Sequence, residues 1–90
     1  MKIELLKFQI TPPERTQEFI KADEQVWDPW LQQQRGYLRK AYQIYPNGII
    51  HLRIFWATQR DLAAASKSPE IPAIDVRLRA AFLGVYQRLP

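Results

Sequence analysis

Alternating apolar and polar residues near the N-terminus predict the first strand. Over residues 2–10 the apolar positions change phase by one residue, from Ile3 and Leu5 to Leu6, Phe8 and Ile10. Apolar side chains at every second position are typical of a strand with one buried face. The change of phase indicates either a bulge or a central strand that is covered on both faces.

A helix is predicted from Thr11 onwards. Thr11 can cap it, the two prolines that follow need no donor in a first turn, and Glu14 stands where a capping box places an acid. Pro29 lacks a backbone donor and its ring clashes with the preceding turn, so we expect a kink or a short second helix that ends before Gly36. The apolar stripe of the helix has three-to-four spacing and consists of Phe19, Ala22, Val26, Trp27 and Trp30.

Residues 37–45 and 49–57 are predicted to form a β-hairpin, for which two turns are open. A two-residue Asn47-Gly48 turn would pair Pro46 with Ile49. A type I turn with Gly48 as a left-handed bulge would pair Tyr45 with Ile49 instead. We predict the bulged turn, because a one-residue slip reverses every side chain and only this register gives one face that is apolar except for Lys40. The apolar members of that face are Leu38, Tyr42, Ile44, Ile50, Leu52, Ile54 and Trp56.

The remaining segments complete a βαββαβ order. A capping pattern at Thr58 starts a helix that runs to about Ser66, residues 73–83 carry a helical stripe that ends before Gly84 as a plausible cap, and residues 85–89 form a last strand. Strand-helix-strand thus occurs twice, which is typical of a ferredoxin-like α+β fold with a four-stranded antiparallel sheet. Ninety residues suit a single domain that spans residues 1–90.

The sheet face that points away from the helices is predicted to be an interface. Its side chains are too aromatic for open water and too charged for a dry core. Aromatic residues together with arginine are typical of protein interfaces, so we predict a two-fold symmetric homodimer. An exposed face whose rings lie over arginine side chains is the alternative. The predicted interface residues are Tyr37, Arg39, Tyr45, His51, Arg53 and Phe55.

The composition excludes several classes of protein. The chain has no cysteine, so disulfides and thiolate metal sites are ruled out and the cytoplasm is the expected compartment. No apolar run is long enough to span a membrane, and the first four residues lack the pattern of a signal peptide. The net charge of +4 comes from scattered basic residues, a pattern that does not favour binding to nucleic acid.

His51 is the single histidine and the first candidate for acid–base or metal chemistry. Either role needs a carboxylate or further ligands nearby, whereas its predicted neighbours are Gln43, Ile49 and Arg53. We therefore interpret His51 as an interface residue. The sequence contains no metal motif, no phosphate-binding loop and no nucleophile elbow, so no metal, no cofactor and no catalytic residue is predicted.

Four aromatic side chains are predicted to face the space between the helices and the sheet. They can line a pocket for a flat apolar ring. They can equally fill the core, which is the simpler interpretation, because each large aromatic residue buries on the order of 150–250 Å². A cavity of roughly 300 Å³ or more would favour the pocket. These pocket candidates are Trp27, Trp30, Tyr42 and Trp56.

Several segments resemble a known family. They are the opening strand, the proline-started helix with Phe19, and the segments Gly36-Tyr37-Leu38, Ile54-Phe55-Trp56-Ala57-Thr58 and Ser66-Lys67-Ser68-Pro69. Through them nearly the whole chain resembles the antibiotic biosynthesis monooxygenase-like family of the dimeric α+β barrel superfamily. Its length and the Trp27/Trp30 helix resemble a small cyanobacterial subfamily. The resemblance implies a dimeric α+β barrel, in a group that includes cofactor-free oxygenases of polyketide quinols and haem-degrading oxygenases.

The resemblance does not extend to the residues of the haem-degrading members. Their asparagine, tryptophan and histidine correspond here to Lys7, Ala65 and Asp75. The leading hypothesis is therefore a homodimer that binds a small hydrophobic or aromatic molecule between helices and sheet, without a cofactor, as a monooxygenase-like enzyme. The alternative is a non-catalytic ligand-binding or protein-interaction module, for which a filled interior is expected.

Overall fold

Three helices lie on one face of a four-stranded antiparallel sheet. The computed structural model describes every residue from Met1 to Pro90. The strands are hydrogen-bonded in the order β2-β3-β1-β4. This confirms the ferredoxin-like α+β fold predicted from the sequence. The elements are β1 (Lys2–Thr11), α1 (Thr16–Leu31), β2 (Tyr37–Tyr45), β3 (Ile49–Trp56), α2 (Gln59–Ser66), α3 (Ile71–Ala81) and β4 (Val85–Leu89).

Strand β1 is regular, so the change of phase in its sequence does not mark a bulge. Its pairing with β3 runs without interruption from Lys2 opposite Trp56 to Gln9 opposite Ile49. Glu4, Leu6 and Phe8 therefore share the helix-covered face. Ile3 and Leu5 point to the opposite face, where they are 44% and 42% exposed. Strand β1 thus carries apolar side chains on both faces, of which the chain itself covers one.

Helix α1 begins later than predicted. Thr11 is paired with Val85 as the last residue of β1, so it cannot cap a helix. A single 3-10 turn over Pro13–Arg15 follows, and the α-helix begins at Thr16, whose hydroxyl donates to the carbonyl of Pro13 at 2.7 Å. Pairing in the sheet overrides the local capping signal at Thr11.

Pro29 does not interrupt α1, so the expected short second helix is wrong. The helix is continuous to Leu31, and the backbone N–H of Gln32 still donates to the carbonyl of Asp28. Pro29 and Gln25 both lie on the exposed side of the helix. Pro29 has no backbone N–H to donate to the carbonyl of Gln25. Because this carbonyl lies on the exposed side, water can solvate it instead. Gly36 follows with a φ of +80°, where an added Cβ would lie 2.1 Å from the Asp61 carboxylate.

The hairpin has the predicted register but a different turn backbone. Tyr45 is opposite Ile49, and Gly48 has a φ of +79°, as the bulged turn requires. Asn47 is also left-handed, with φ 65° and ψ 28°, whereas a type I turn keeps that residue right-handed. Asparagine adopts this conformation more readily than other side chains do. The register therefore collects Tyr42, Leu52 and their neighbours on the helix-covered face, as predicted.

A bulge at the start of β2 exchanges the predicted faces of Tyr37 and Leu38. The pairing shifts between Tyr37, which is opposite Trp56, and Arg39, which is opposite Phe55. Tyr37 therefore turns towards the helices, with its ring centroid 6.0 Å from that of Trp56. Leu38 is 53% exposed instead of joining the core. The prediction that Tyr37 lies on the open face, which points away from the helices, is therefore wrong, because the bulge shifts the alternation of side chains by one residue.

The last helix and strand lie close to their predicted positions. Helix α3 starts two residues early, at Ile71, and its stripe of Ile74, Leu78 and Phe82 is buried. Gly84 is not the left-handed cap that was predicted. It lies against Phe82 and β1, where an added Cβ would meet the Phe82 ring at 2.6 Å and the Thr11 carbonyl at 2.8 Å. None of the helices combines the length and the apolar character needed to cross a membrane.

Candidate functional site

A cavity of about 650 Å³ lies between the helices and the sheet. This volume is in the range of small-molecule sites and exceeds the value that separates a pocket from a filled core. Twelve of its twenty lining residues are hydrophobic, so the wall is mainly apolar with a few polar groups. Of the four pocket candidates, Trp27, Trp30 and Trp56 line the cavity and Tyr42 does not.

The three tryptophans differ in burial and in the contacts that their rings and indole N–H groups make. Trp56 is 1% exposed, and its indole N–H donates to the Glu4 carboxylate at 3.2 Å. Trp27 and Trp30 meet edge to face with their ring centroids 5.7 Å apart. The indole N–H of Trp30 is buried and has no hydrogen-bond partner. The rings thus contribute to the core while leaving open space beside them.

Lys40 is buried in the cavity wall among acidic groups that sequence reasoning did not connect with it. Its ammonium is 2.7 Å from the carboxylate of Asp23 and is also hydrogen-bonded to Asp28. The side chains of Lys40 and Asp23 are 4% and 5% exposed. Two features of the sequence could have indicated this pair. Lys40 is the one charged residue on an apolar strand face, and Asp23 lies on the same helical stripe as Trp27 and Trp30.

Tyr42 belongs to the same cluster as Lys40 and Asp23 but does not line the cavity. Its hydroxyl donates to the same Asp23 oxygen that accepts from Lys40. Burial raises the pKa of Tyr42 well above its ordinary value, and the charge of Asp23 raises it further. The phenol therefore stays a protonated donor that fixes Asp23. The structure assigns Tyr42 to the support of the cavity wall and not to its lining.

A second polar group lies where α3 meets β4. The hydroxyl of Tyr86 donates to Asp75 at 2.8 Å, and the Nε of Arg79 donates to the other Asp75 oxygen at 3.1 Å. Burial, and then the hydrogen bond to Asp75, raises the pKa of Tyr86 above its ordinary value. Arg88 also lines the cavity and makes no ion pair. All three carboxylates of the wall are thus engaged by neighbours: Glu4 by Trp56, Asp23 by Lys40 and Tyr42, and Asp75 by Tyr86 and Arg79.

The cavity wall contains no histidine. His51 lies on the opposite face of the sheet, between Lys7 on β1 and Gln43 on β2. Asp75, the position that corresponds to the haem-linked histidine of the resembling proteins, is bound to Tyr86 and Arg79. The residues present therefore do not fit a haem held by histidine. No group of three or more His, Asp or Glu side chains is arranged to hold a metal ion.

Five of the six predicted interface residues share the open sheet face, and Tyr37 is the exception. The guanidinium carbon of Arg39 lies 3.9 Å from the ring centroid of Phe55. Arg53 donates to the side chain of Gln43 at 3.0 Å. The rings of Tyr45 and His51 are 4.5 Å apart, and the Nδ1 of His51 is buried without a partner. Aromatic rings thus lie against arginine side chains within one copy of the chain.

Solved structures share this arrangement of helices and sheet. SnoaB from Streptomyces nogalater, a cofactor-independent oxygenase, matches with a TM-score of 0.66 at 14% identity over 98% of this chain and 89% of its own. The monooxygenase of the gene ActVA-Orf6 from Streptomyces coelicolor, solved with Nanaomycin D, matches with a TM-score of 0.71 at 12% identity over 97% and 81%. A provisionally assigned antibiotic biosynthesis monooxygenase from Bordetella bronchiseptica matches with a TM-score of 0.70 at 17% identity over 97% and 90%.

The chain has the fold of the antibiotic biosynthesis monooxygenases. The likeness lies in structure, because no protein-family model matches the chain and no curated protein is similar to it in sequence. TM-scores of 0.66–0.71 establish the fold, whereas identities of 12–17% leave the chemistry to be argued from the site itself. The finer resemblance to a cyanobacterial subfamily stays a prediction.

Proposed function

We propose that this chain binds a small planar aromatic molecule in the cavity between helices and sheet and acts as a cofactor-independent, monooxygenase-like homodimer. The observation that carries the proposal is the cavity of about 650 Å³ with Trp27, Trp30 and Trp56 in its wall. Indole rings bind flat apolar rings through large contact areas and edge-to-face packing. A filled interior, as expected for a pure interaction module, would have left no such space.

The chemistry of the wall fits this class of reaction. Oxygenation without a cofactor draws its electrons from an electron-rich substrate ring, and it needs from the protein a shaped, dry pocket with a few donors. The wall supplies mainly apolar side chains together with the buried Lys40–Asp23 pair and the Tyr86–Asp75 pair. The likeness in fold to SnoaB, a cofactor-independent oxygenase, supports the same class.

The direct test uses 1,8-dihydroxyanthrone, an electron-rich three-ring molecule. Binding is measured without oxygen from the change in tryptophan fluorescence, because three indoles line the cavity. In air, the anthrone methylene and one O₂ give the anthraquinone carbonyl and one water, and oxygen uptake reports the rate. We expect saturable binding, and oxygen uptake above the rate without protein.

Two alanines of α2 provide a matched pair of variants. Ala65 lines the cavity and is 7% exposed, whereas the adjacent Ala64 is exposed outside it. Ala65→Phe places a ring in the cavity, so we expect binding of the anthrone to weaken at least about tenfold, an effect of about 1.4 kcal/mol. Ala64→Phe should bind like the unaltered chain. Equal binding by both variants would contradict a site in this cavity.

A non-catalytic ligand-binding module is the second candidate. It is favoured by the engagement of Asp23 and Asp75, since a carboxylate already held by a lysine or an arginine is a weak general base. Under this alternative the anthrone binds and quenches tryptophan fluorescence, but oxygen uptake stays at the rate without protein. The oxygen measurement therefore separates the two candidates.

A further inference from the structure

Two buried tryptophans of the same cavity wall differ in one respect. The N–H of Trp56 donates to Glu4 at 3.2 Å, so this indole is fully satisfied by the protein. Trp30 is 8% exposed, and its N–H is equally buried but has no acceptor. Buried polar atoms without a partner are rare in folded proteins, and each one needs a specific explanation.

The surroundings of Trp30 offer no protein acceptor for that N–H. The side-chain amide of Gln34, just after the end of α1, donates to the backbone carbonyl of Trp30 at 3.0 Å. The carboxylate of Asp28 is hydrogen-bonded to Lys40. Trp27 contributes only its ring. Trp30 lines the cavity, while its N–H is covered by neighbouring protein atoms, so a small turn of the indole ring would bring the N–H to an acceptor in the cavity.

Lys40 offers a second unused donor in the same wall. An ammonium group carries three hydrogens, and Asp23 and Asp28 accept two of them. The spare hydrogen belongs to a side chain that is 4% exposed and lines the cavity. The wall therefore has two unused hydrogen-bond donors near α1, while its carboxylates Glu4, Asp23 and Asp75 already accept hydrogen bonds from neighbouring side chains. A complementary ligand presents an acceptor there.

We propose that Trp30 determines the specificity of the cavity by donating its indole N–H to a carbonyl-type oxygen on the bound ring, with Lys40 as the neighbouring donor. This inference rests on the proposed function and adds to it the residue that distinguishes an oxygen-bearing ring from a plain hydrocarbon. A hydrocarbon of the same shape leaves the N–H unpaired, whereas a ring with an acceptor satisfies it. Selection of this kind is stronger than selection by ring size alone.

The test compares 2-methyl-1,4-naphthoquinone with 2-methylnaphthalene, which have the same two-ring skeleton and differ by two oxygens. Equilibrium dialysis gives the Kd of each without relying on fluorescence. The absence of cysteine in the chain removes the thiols that would otherwise react with the quinone. We expect the quinone to bind roughly tenfold more tightly than the hydrocarbon, as one or two net hydrogen bonds allow.

Two substitutions then locate the donor. Trp30→Phe keeps an aromatic ring and removes the unpaired N–H, so the preference for the quinone should fall to about twofold or less. Trp27→Phe removes the adjacent indole of the same wall, whose N–H is not one of the buried, unpaired groups. This variant should weaken the binding of both ligands alike and keep the preference for the quinone. Thermal unfolding of both variants verifies that each is folded.

Each result decides a separate claim. Equal affinity of the unaltered chain for quinone and hydrocarbon overturns the inference about Trp30 and leaves the proposed function standing. A preference that survives Trp30→Phe, or one that Trp27→Phe abolishes equally, also overturns it. Binding of neither ligand, nor of the anthrone, removes the proposed function and the inference together.

Discussion

At the scale of single residues, the pair of opposite charges buried beside the cavity is costly to desolvate. Lys40 and Asp23 are almost fully shielded from water, and taking both charges out of water offsets much of their attraction. Tyr42 and Asp28 supply the additional hydrogen bonds that make such a pair tolerable. An all-apolar wall would be simpler to stabilise, so the cluster is consistent with a role in ligand binding.

The pH dependence of stability tests the role of Tyr42. Its pKa is raised in the folded chain, first by burial and then by Asp23, from an ordinary value of 10.0. The protonated phenol therefore stabilises the fold fully below pH 10, and this contribution is lost as the pH rises through the folded pKa. Tyr42→Phe removes the hydrogen bond, so we expect a loss of about 1–2 kcal/mol at pH 7 and a smaller further loss above pH 10 than in the unaltered chain. Urea unfolding at pH 7 and at pH 10.5 measures both.

The matched control for Tyr42 is Tyr45→Phe on the open sheet face. Tyr45 packs against His51 and takes no part in the Lys40 cluster. This variant should unfold like the unaltered chain at pH 7 and lose stability above pH 10 as the unaltered chain does. An identical decline of Tyr42→Phe and the unaltered chain between the two pH values would show that Tyr42 is not the titrating group.

At the scale of elements, the hairpin depends on two consecutive left-handed residues. Gly48 has a φ of +79°, and a Cβ there would lie 2.3 Å from the carbonyl oxygen of Ile10. Gly48→Ala should therefore lower the free energy of unfolding by at least about 2 kcal/mol. Asn47→Gly at the neighbouring φ of 65° should change it by less than about 1 kcal/mol. Denaturant unfolding of the two variants measures the difference, and similar stabilities would contradict the strain assigned to Gly48.

The elements also show where sequence reasoning holds and where it fails. The pairing of Tyr45 with Ile49 was predictable, because one register alone gave a clean apolar face. The start of α1 was not, because its capping signal at Thr11 lies in a residue that pairs with β4, a partner 74 positions further along the chain. The bulge at Leu38 was hidden for a similar reason, since only contact with the end of β3 shows that Tyr37 belongs beside Trp56.

For the candidate site, residue types were predictable and their relations were not. Trp27, Trp30 and Trp56 were expected to face the same space, and all three line the cavity. The pairing of Lys40 with Asp23 depends on how α1 crosses β2, which local patterns do not specify. The unpaired N–H of Trp30 is equally invisible in a sequence, because an absent partner is a property of the packed molecule.

At the scale of the whole molecule, the sheet has one covered face and one open face. The open face carries the exposed apolar residues Ile3 and Leu5 beside Arg39 and Phe55. Exposed apolar groups within a rim of polar groups mark an interaction surface. The single acidic residue of the four strands, Glu4, points to the other face and contacts Trp56. The charges of the open face are therefore all basic.

This distribution of charge leads to a specific expectation for the proposed homodimer. Two copies that pack by their open faces bury Leu5 and bring the basic residues Lys7, Arg39 and Arg53 of each copy near those of the other. Burial of apolar surface then favours association, and repulsion between the basic residues of the two copies opposes it. Salt weakens this repulsion by screening it. Sedimentation should show a dimer at micromolar concentration, with a dissociation constant that falls as NaCl is raised from 0.05 to 0.5 M.

A pair of lysine substitutions tests where the copies meet. Leu5→Lys removes exposed apolar area from the open face and adds a fourth basic group, so we expect the dimer dissociation constant to rise at least about tenfold. Val76→Lys makes the same change at a 65% exposed position on α3, outside the sheet, and should leave the dimer unchanged. Weakening by Val76→Lys alone would place the contact on the helices. A monomer at every salt concentration would show that the open face is exposed and that its rings are covered only by the arginines of the same chain.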